Sequence, residues 1–136
     1  MGQKISGGCS CRAIRYEATA EPMAMVNCHC RDCQRATGSA YGAYLMFAKN
    51  AVRVEGEPRY HTTIGNAGRS VERGFCAVCG SPVAVKLAAL PDAIGFLAAS
   101  LDDPSLYKPS QDIYTDSAQA WDTLHPATKK VPQGIF

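Results

Sequence analysis

Asn27 to Tyr41 reads NCHCRDCQRATGSAY, with three cysteines and a histidine inside six residues. If Val26 to Cys30 is a strand, alternation puts Cys28 and Cys30 on one side and His29 on the other. Asp32 can cap a short helix, CQRAT can form its turn and Gly38 can end it. Cys33, at the start of that helix, then swings back toward Cys28 and Cys30. Three thiolates with the fourth coordination position open is the pattern of a zinc that works, where a fourth protein ligand would make a closed staple. His29 is expected to bond a backbone carbonyl on the far face, and His61 or His125 are the alternatives for a fourth ligand from elsewhere.

Away from this stretch the chain shows short runs of period-2 alternation and no long helical pattern. CRAIRYEA places Arg12, Ile14 and Tyr16 on one face; MAMVNCHC, GAYLMFA, AVRVEG, RYHTTI, RSVERGFC, PVAVKL, AIGFLAAS and DIYT also read as strands. GEP, GNAG and ALPD punctuate them as turns. The expectation is a mainly β chain, mostly antiparallel, with a second helical turn at SAQAW and a loosely packed tail, HPATKKVPQGIF. At 136 residues the chain is read as a single domain over residues 1–136. Its 46% hydrophobic and 19% charged content is that of a soluble globular protein. No apolar run approaches the ~20 residues needed to span a bilayer, and no basic-then-apolar leader begins the sequence. The expected compartment is the cytoplasm. MGQKIS meets the loose rule for myristoylation at Gly2, but no basic patch or second lipid site supports an anchor.

The cysteine count is seven, an odd number that no complete disulfide framework accommodates, and a reducing compartment favours metal thiolates. Besides Cys28, Cys30 and Cys33 there are Cys9 and Cys11 in CSC and Cys76 and Cys79 in CAVCG. Cys-x-x-Cys-Gly is a zinc-knuckle shape, with Gly80 supplying a positive φ. Cys-x-Cys on an extended segment turns both sulfurs to one side. Together these four make a closed thiolate tetrahedron. Spacing alone also admits Cys28 and Cys30 sharing an ion with Cys76 and Cys79. Two divalent ions on seven thiolates would shift the formal charge of +2 by three units to −1, so its sign does not point to nucleic acid, and no basic cluster stands behind it.

A three-thiolate zinc is soft and electron-rich, better suited to an incoming sulfur than to activating water. Arg31 and Arg35, four apart on the short helix, are the candidates to hold an anionic thiol. Ser39, Tyr41 and Tyr44 are candidate hydroxyls near the site.

GGCSCRAIRYE, CHCRDCQRATGSAY, GFCAVCGSPV and WDTL, in that order, resemble the glutathione-dependent formaldehyde-activating enzyme family, whose relatives include centromere protein V, over about residues 5–122. The resemblance implies a β-tent, a small barrel-like arrangement of antiparallel sheets stapled by zinc. It implies structural zinc on Cys9, Cys11, Cys76 and Cys79 and a second, catalytic and labile zinc on Cys28, Cys30 and Cys33. It further implies a carbon–sulfur lyase that joins a small thiol such as glutathione to formaldehyde, or the reverse. The alternative is a non-catalytic zinc-stapled binding or carrier module, and a homodimer is compatible with either. Two departures stand out: family members often carry Gly where this chain has Arg12, and many carry His near Asp112.

Overall fold

The computed structural model describes residues 4–136; Gly2, on which the acylation pattern rests, lies outside them. The strands are β1 (Ile5–Gly8), β2 (Arg15–Ala18), β3 (Ala24–Cys28), β4 (Gly42–Ala48), β5 (Val52–Glu55), β6 (Arg59–Ile64), β7 (Ser70–Phe75), β8 (Pro82–Leu87), β9 (Ala93–Leu97), β10 (Gln111–Ile113) and β11 (Lys129–Val131), with one α-helix, α1 (Arg31–Thr37). They form a three-stranded sheet, β1-β2-β5, and an eight-stranded sheet, β11-β10-β3-β4-β9-β8-β7-β6. The mainly β expectation holds, but the sheets are not closed into a barrel. Most pairs are antiparallel; β10 runs parallel to both β3 and β11.

β4 explains its own sequence. Leu45 and Phe47 join one core with Ile14, Tyr16 and Phe96, beneath the small sheet. Tyr44 and Met46 join a second core, with the three clustered cysteines, Val85 and Phe136, on the other face. A strand covered on both faces reads as a continuous apolar run, which is why GAYLMFA barely alternates. In the first core the rings of Tyr16 and Phe96 stack at 3.7 Å.

Three expectations need correction. Cys-x-Cys is not on a strand: residues 9–14 form a tight loop between β1 and β2, with Cys9 N donating to Ile14 O and Arg12 N to Cys9 O, and Arg12 takes a left-handed φ of 68°. The second helical turn lies earlier than SAQAW suggests: it is a 3₁₀ turn at Thr115–Ser117 that ends on the first residue of that stretch, and Trp121 is exposed. The tail does not pack loosely. β11 pairs with β10, Phe136 is buried against Tyr44, and the Tyr114 hydroxyl donates to the carbonyls of Gly134 and Phe136. A terminal aromatic ring gains enough from burial to tie down an otherwise polar segment.

Candidate metal centres and the cavity beside them

The cysteines gather as two groups, Cys9/Cys11/Cys76/Cys79 and Cys28/Cys30/Cys33, with the sulfurs of each within 4.8 Å of one another. Among the described residues neither His61 nor His125 joins either group. In the first, Cys9 and Cys11 sulfurs lie 3.7 Å apart, as do those of Cys11 and Cys76. Four sulfurs about 2.3 Å from one tetrahedral ion would stand about 3.8 Å apart, so this spacing fits zinc. The backbone supports it: Val78 N and Cys79 N each donate to Cys76 Sγ at 3.4 Å, Ile14 N donates to Cys9 Sγ at 3.3 Å, and Gly80 turns the chain at φ 78°.

The second group is built by the junction of β3 and α1. Cys28 ends the strand. Cys30, not Asp32, is the helix cap, its sulfur accepting from Cys33 N at 3.3 Å, and Gly38 closes the helix at φ 67°. Asp32 instead lies in the first turn, where a carboxylate favours the helix dipole. Cys33 Sγ accepts from the Tyr44 hydroxyl at 3.2 Å and from Arg73 Nη2 at 3.3 Å. Gly42 makes room for that tyrosine: a Cβ there would come within 2.4 Å of the Tyr44 oxygen.

Charge shows what this group needs. Hydrogen bonds from Cys28 and Cys33 push the Cys30 thiol down to about 3, against burial. The Cys33 thiol, eased by a hydrogen bond from Cys28, is nonetheless pushed up to about 11 by Cys30 and burial, and burial drives Cys28 further up. Burial works against the Arg73 charge, but Cys33, Tyr44 and Cys30 together outweigh it and raise its pKa. Even so, one guanidinium cannot balance three buried thiolates. A divalent, thiophilic cation would supply the missing charge, so the donor set fits zinc.

Beside the group lies a cavity of about 370 Å³, whose wall includes Thr37, Tyr44, His61, Arg73, Phe75 and Leu97. A neighbouring cavity of about 400 Å³, lined by Ser10, Ser39, Tyr41, Ser81 and Ser100, shares Thr37, Pro82 and Leu97 with it.

A family scan matches residues 4–117 to the glutathione-dependent formaldehyde-activating enzyme. The chain belongs to that family. Its fold is similar to the crystal structure of a Rhodobacter sphaeroides protein from a structural-genomics programme, with a TM-score of 0.59 and 21% identity over 76% of this chain and 96% of that one. A search of the curated proteins finds no match.

Both departures from the family pattern have a structural setting. Arg12 occupies a backbone conformation that suits the glycine often found there. Asp112 is buried beside His29, where it accepts from His29 Nε2 at 2.7 Å, from Asn27 at 3.2 Å and from Thr128. Burial opposes its charge, but these donors outweigh it and hold the carboxyl below its usual range. His29, expected on a backbone carbonyl, therefore faces carboxylates: Asp122 Oδ2, from the WDTL segment, lies 3.5 Å from its Nδ1. Its own carbonyl accepts from Gln34 Nε2 at 2.7 Å.

Arg31 and Arg35 are exposed on α1, and Arg31 bonds Gln34 Oε1. Neither lines the 370 Å³ cavity. The cation beside the sulfurs is Arg73, which the sequence reading passed over. Its signal was period-2 phase with Val71 and Phe75, an arginine on the inward face of its strand.

Proposed function

We propose that the chain is a cytoplasmic zinc-dependent carbon–sulfur lyase-type enzyme that joins a small thiol, such as glutathione, to an aldehyde such as formaldehyde, or cleaves that adduct. It is read as one domain over residues 1–136. The observation that carries this reading is a three-sulfur group beside a cavity, with Tyr44 and Arg73 belonging both to the cavity wall and to the donors on Cys33. Cys28, Cys30 and Cys33 would hold the working zinc, and Cys9, Cys11, Cys76 and Cys79 the structural one. When bound, zinc at the three-thiolate site supplies a soft Lewis acid that favours the thiolate form of a sulfur donor.

The chain's own residues do the rest. Tyr44 and Arg73 spread negative charge away from Cys33, and Phe75, Ala84 and Leu97 give the cavity apolar walls that strengthen those interactions. A thiolate adds to the carbonyl carbon, forming the carbon–sulfur bond. The π electron pair moves to oxygen, which takes up a proton to give the hydroxymethyl thioether. Arg31 and Arg35 would meet the outer end of a thiol as long as glutathione.

The test is the rate of adduct formation from glutathione and formaldehyde, less the spontaneous rate, for wild type and Cys30→Ser. A rate lost in the variant supports the proposal, and equal rates remove it for this substrate pair. One observation favours a non-catalytic zinc-stapled module instead: Cys28, Cys30 and Cys33 are 0%, 1% and 0% exposed. On that reading both proteins give only the spontaneous rate.

A further inference from the structure

The 370 Å³ cavity is more basic than a thiol and formaldehyde require. Arg73 and His61 line it, and no acidic residue does. The two sit directly opposite each other on β6 and β7, so their side chains leave the same face of the sheet about 5 Å apart at Cβ. Among the described residues no carboxylate lies within ion-pair distance of Arg73. Its Nη1 donates to Thr63 Oγ1 and its Nη2 to Cys33 Sγ, each at 3.3 Å, while Nε is buried with no partner. A guanidinium drawn into an apolar wall is a strained arrangement unless an anion completes its hydrogen bonds. Thr63 and Cys33 answer two of its donors. Formaldehyde and a neutral thiol bring no negative charge to answer the rest.

We propose that this cavity selects a thiol that carries a carboxylate, held by Arg73 and His61 while its sulfur faces the three-cysteine group. Arg73 reaches both the cavity and Cys33 Sγ, so the carboxylate and the sulfur of this ligand are close together. The class is therefore a short mercaptocarboxylate. A planar guanidinium matches a carboxylate with two parallel hydrogen bonds, and the imidazole adds an N–H in either protonation state. The destination of the sulfur rests on the thiol–aldehyde reading above; the selection of the acid rests on the cation pair.

Three thiols of similar length separate the two: 3-mercaptopropionate, 2-mercaptoethanol and cysteamine, whose far ends are negative, neutral and positive. Their affinities for the zinc-loaded protein are measured by calorimetry at pH 7. The acid is expected to bind about tenfold or more tightly than the neutral thiol, and cysteamine most weakly. Arg73→Met removes the cation but keeps the stem, and is expected to bring the ratio of acid to neutral thiol close to one. Taking the ratio cancels any general weakening of the site through Cys33. His61→Gln, which touches no cysteine, is expected to lower the ratio severalfold and guards against an Arg73 variant that fails to fold. Equal affinity of all three thiols for wild type overturns the inference and leaves the thiol–aldehyde reading standing. So does a ratio unchanged in the folded variants. Binding of none of the three to protein carrying both zincs overturns the inference together with the reading beneath it.

Discussion

Tyr44→Phe removes one oxygen from the centre of the account. The side chain is 1% exposed, its ring packs 5.0 Å from that of Phe136, and its hydroxyl donates to Cys33 Sγ at 3.2 Å. The hydroxyl remains a donor across the working pH range, because burial and then the Cys33 charge raise its pKa well above the ordinary tyrosine value. Phenylalanine keeps the ring, its contact with Phe136 and its place over Gly42, so the fold should survive. The loss is one hydrogen bond to a charged sulfur, about 1.5–3 kcal/mol. That converts to roughly 10–100-fold in affinity for a metal on Cys28, Cys30 and Cys33, the usual scale for a group that hydrogen-bonds a metal ligand. Cys9, Cys11, Cys76 and Cys79 form a separate group and should not change. Titration of the zinc-loaded protein with a chromophoric chelator resolves the two ions. The expected outcome is a weaker site released earlier in the variant and a tighter site released at the wild-type position. Two unchanged sites, or two sites weakened equally, would refute the assignment of Tyr44 to the three-cysteine group.

Arg12→Gly should stabilise the protein. A left-handed φ of 68° costs an L-residue about 1–2 kcal/mol, and glycine's extra freedom when unfolded gives back about 0.4–1 kcal/mol, so a rise of a few degrees in Tm is expected by calorimetry. Phe136→Ala should destabilise by about 3–5 kcal/mol in urea titration, because it empties a buried site against Tyr44; a loss below about 1 kcal/mol would make the tail peripheral after all. Asp102 is held down to about 2, first by the hydrogen bond from Arg15 and then by that from Ser6. A depressed carboxylate contributes stability above its unfolded value near 3.8 and loses it as pH falls toward 2, so Asp102→Asn should be less stable than wild type at pH 6 and converge with it near pH 2. The pair is half-exposed at Asp102, which keeps the difference at pH 6 below about 1 kcal/mol in urea titrations at the two pH values.

Strand positions were legible where one face is buried, since Tyr16 and Ala18 alternate with Arg15 and Glu17 in the burial along β2. The division of the cysteines was half legible from motif shape, because the knuckle and the strand–helix junction are local structures. Spacing left open Cys28 and Cys30 sharing an ion with Cys76 and Cys79, and only the family resemblance separated them as the structure does. What escaped was mostly long-range. The carboxylates around His29 come from Asp112 and Asp122, far along the chain, and no local pattern announces them. β11 is three residues long and carries two lysines, too short and polar to register as a strand. The loop at residues 9–14 escaped because arginine is a poor marker of a left-handed bend. Arg73 escaped because a lone arginine in a strand reads as surface until the β3–α1 junction that carries Cys33 is known to pack beside it.

The central claim is that the chain carries two separate thiolate zinc sites, the second open to a thiol. Native mass spectrometry of wild type and Cys33→Ser, each with and without glutathione, tests it most directly. The account predicts two zincs per wild-type chain and one per variant chain, with glutathione retained only on the two-zinc form. One zinc on both proteins, unmoved by added zinc and glutathione, would contradict it.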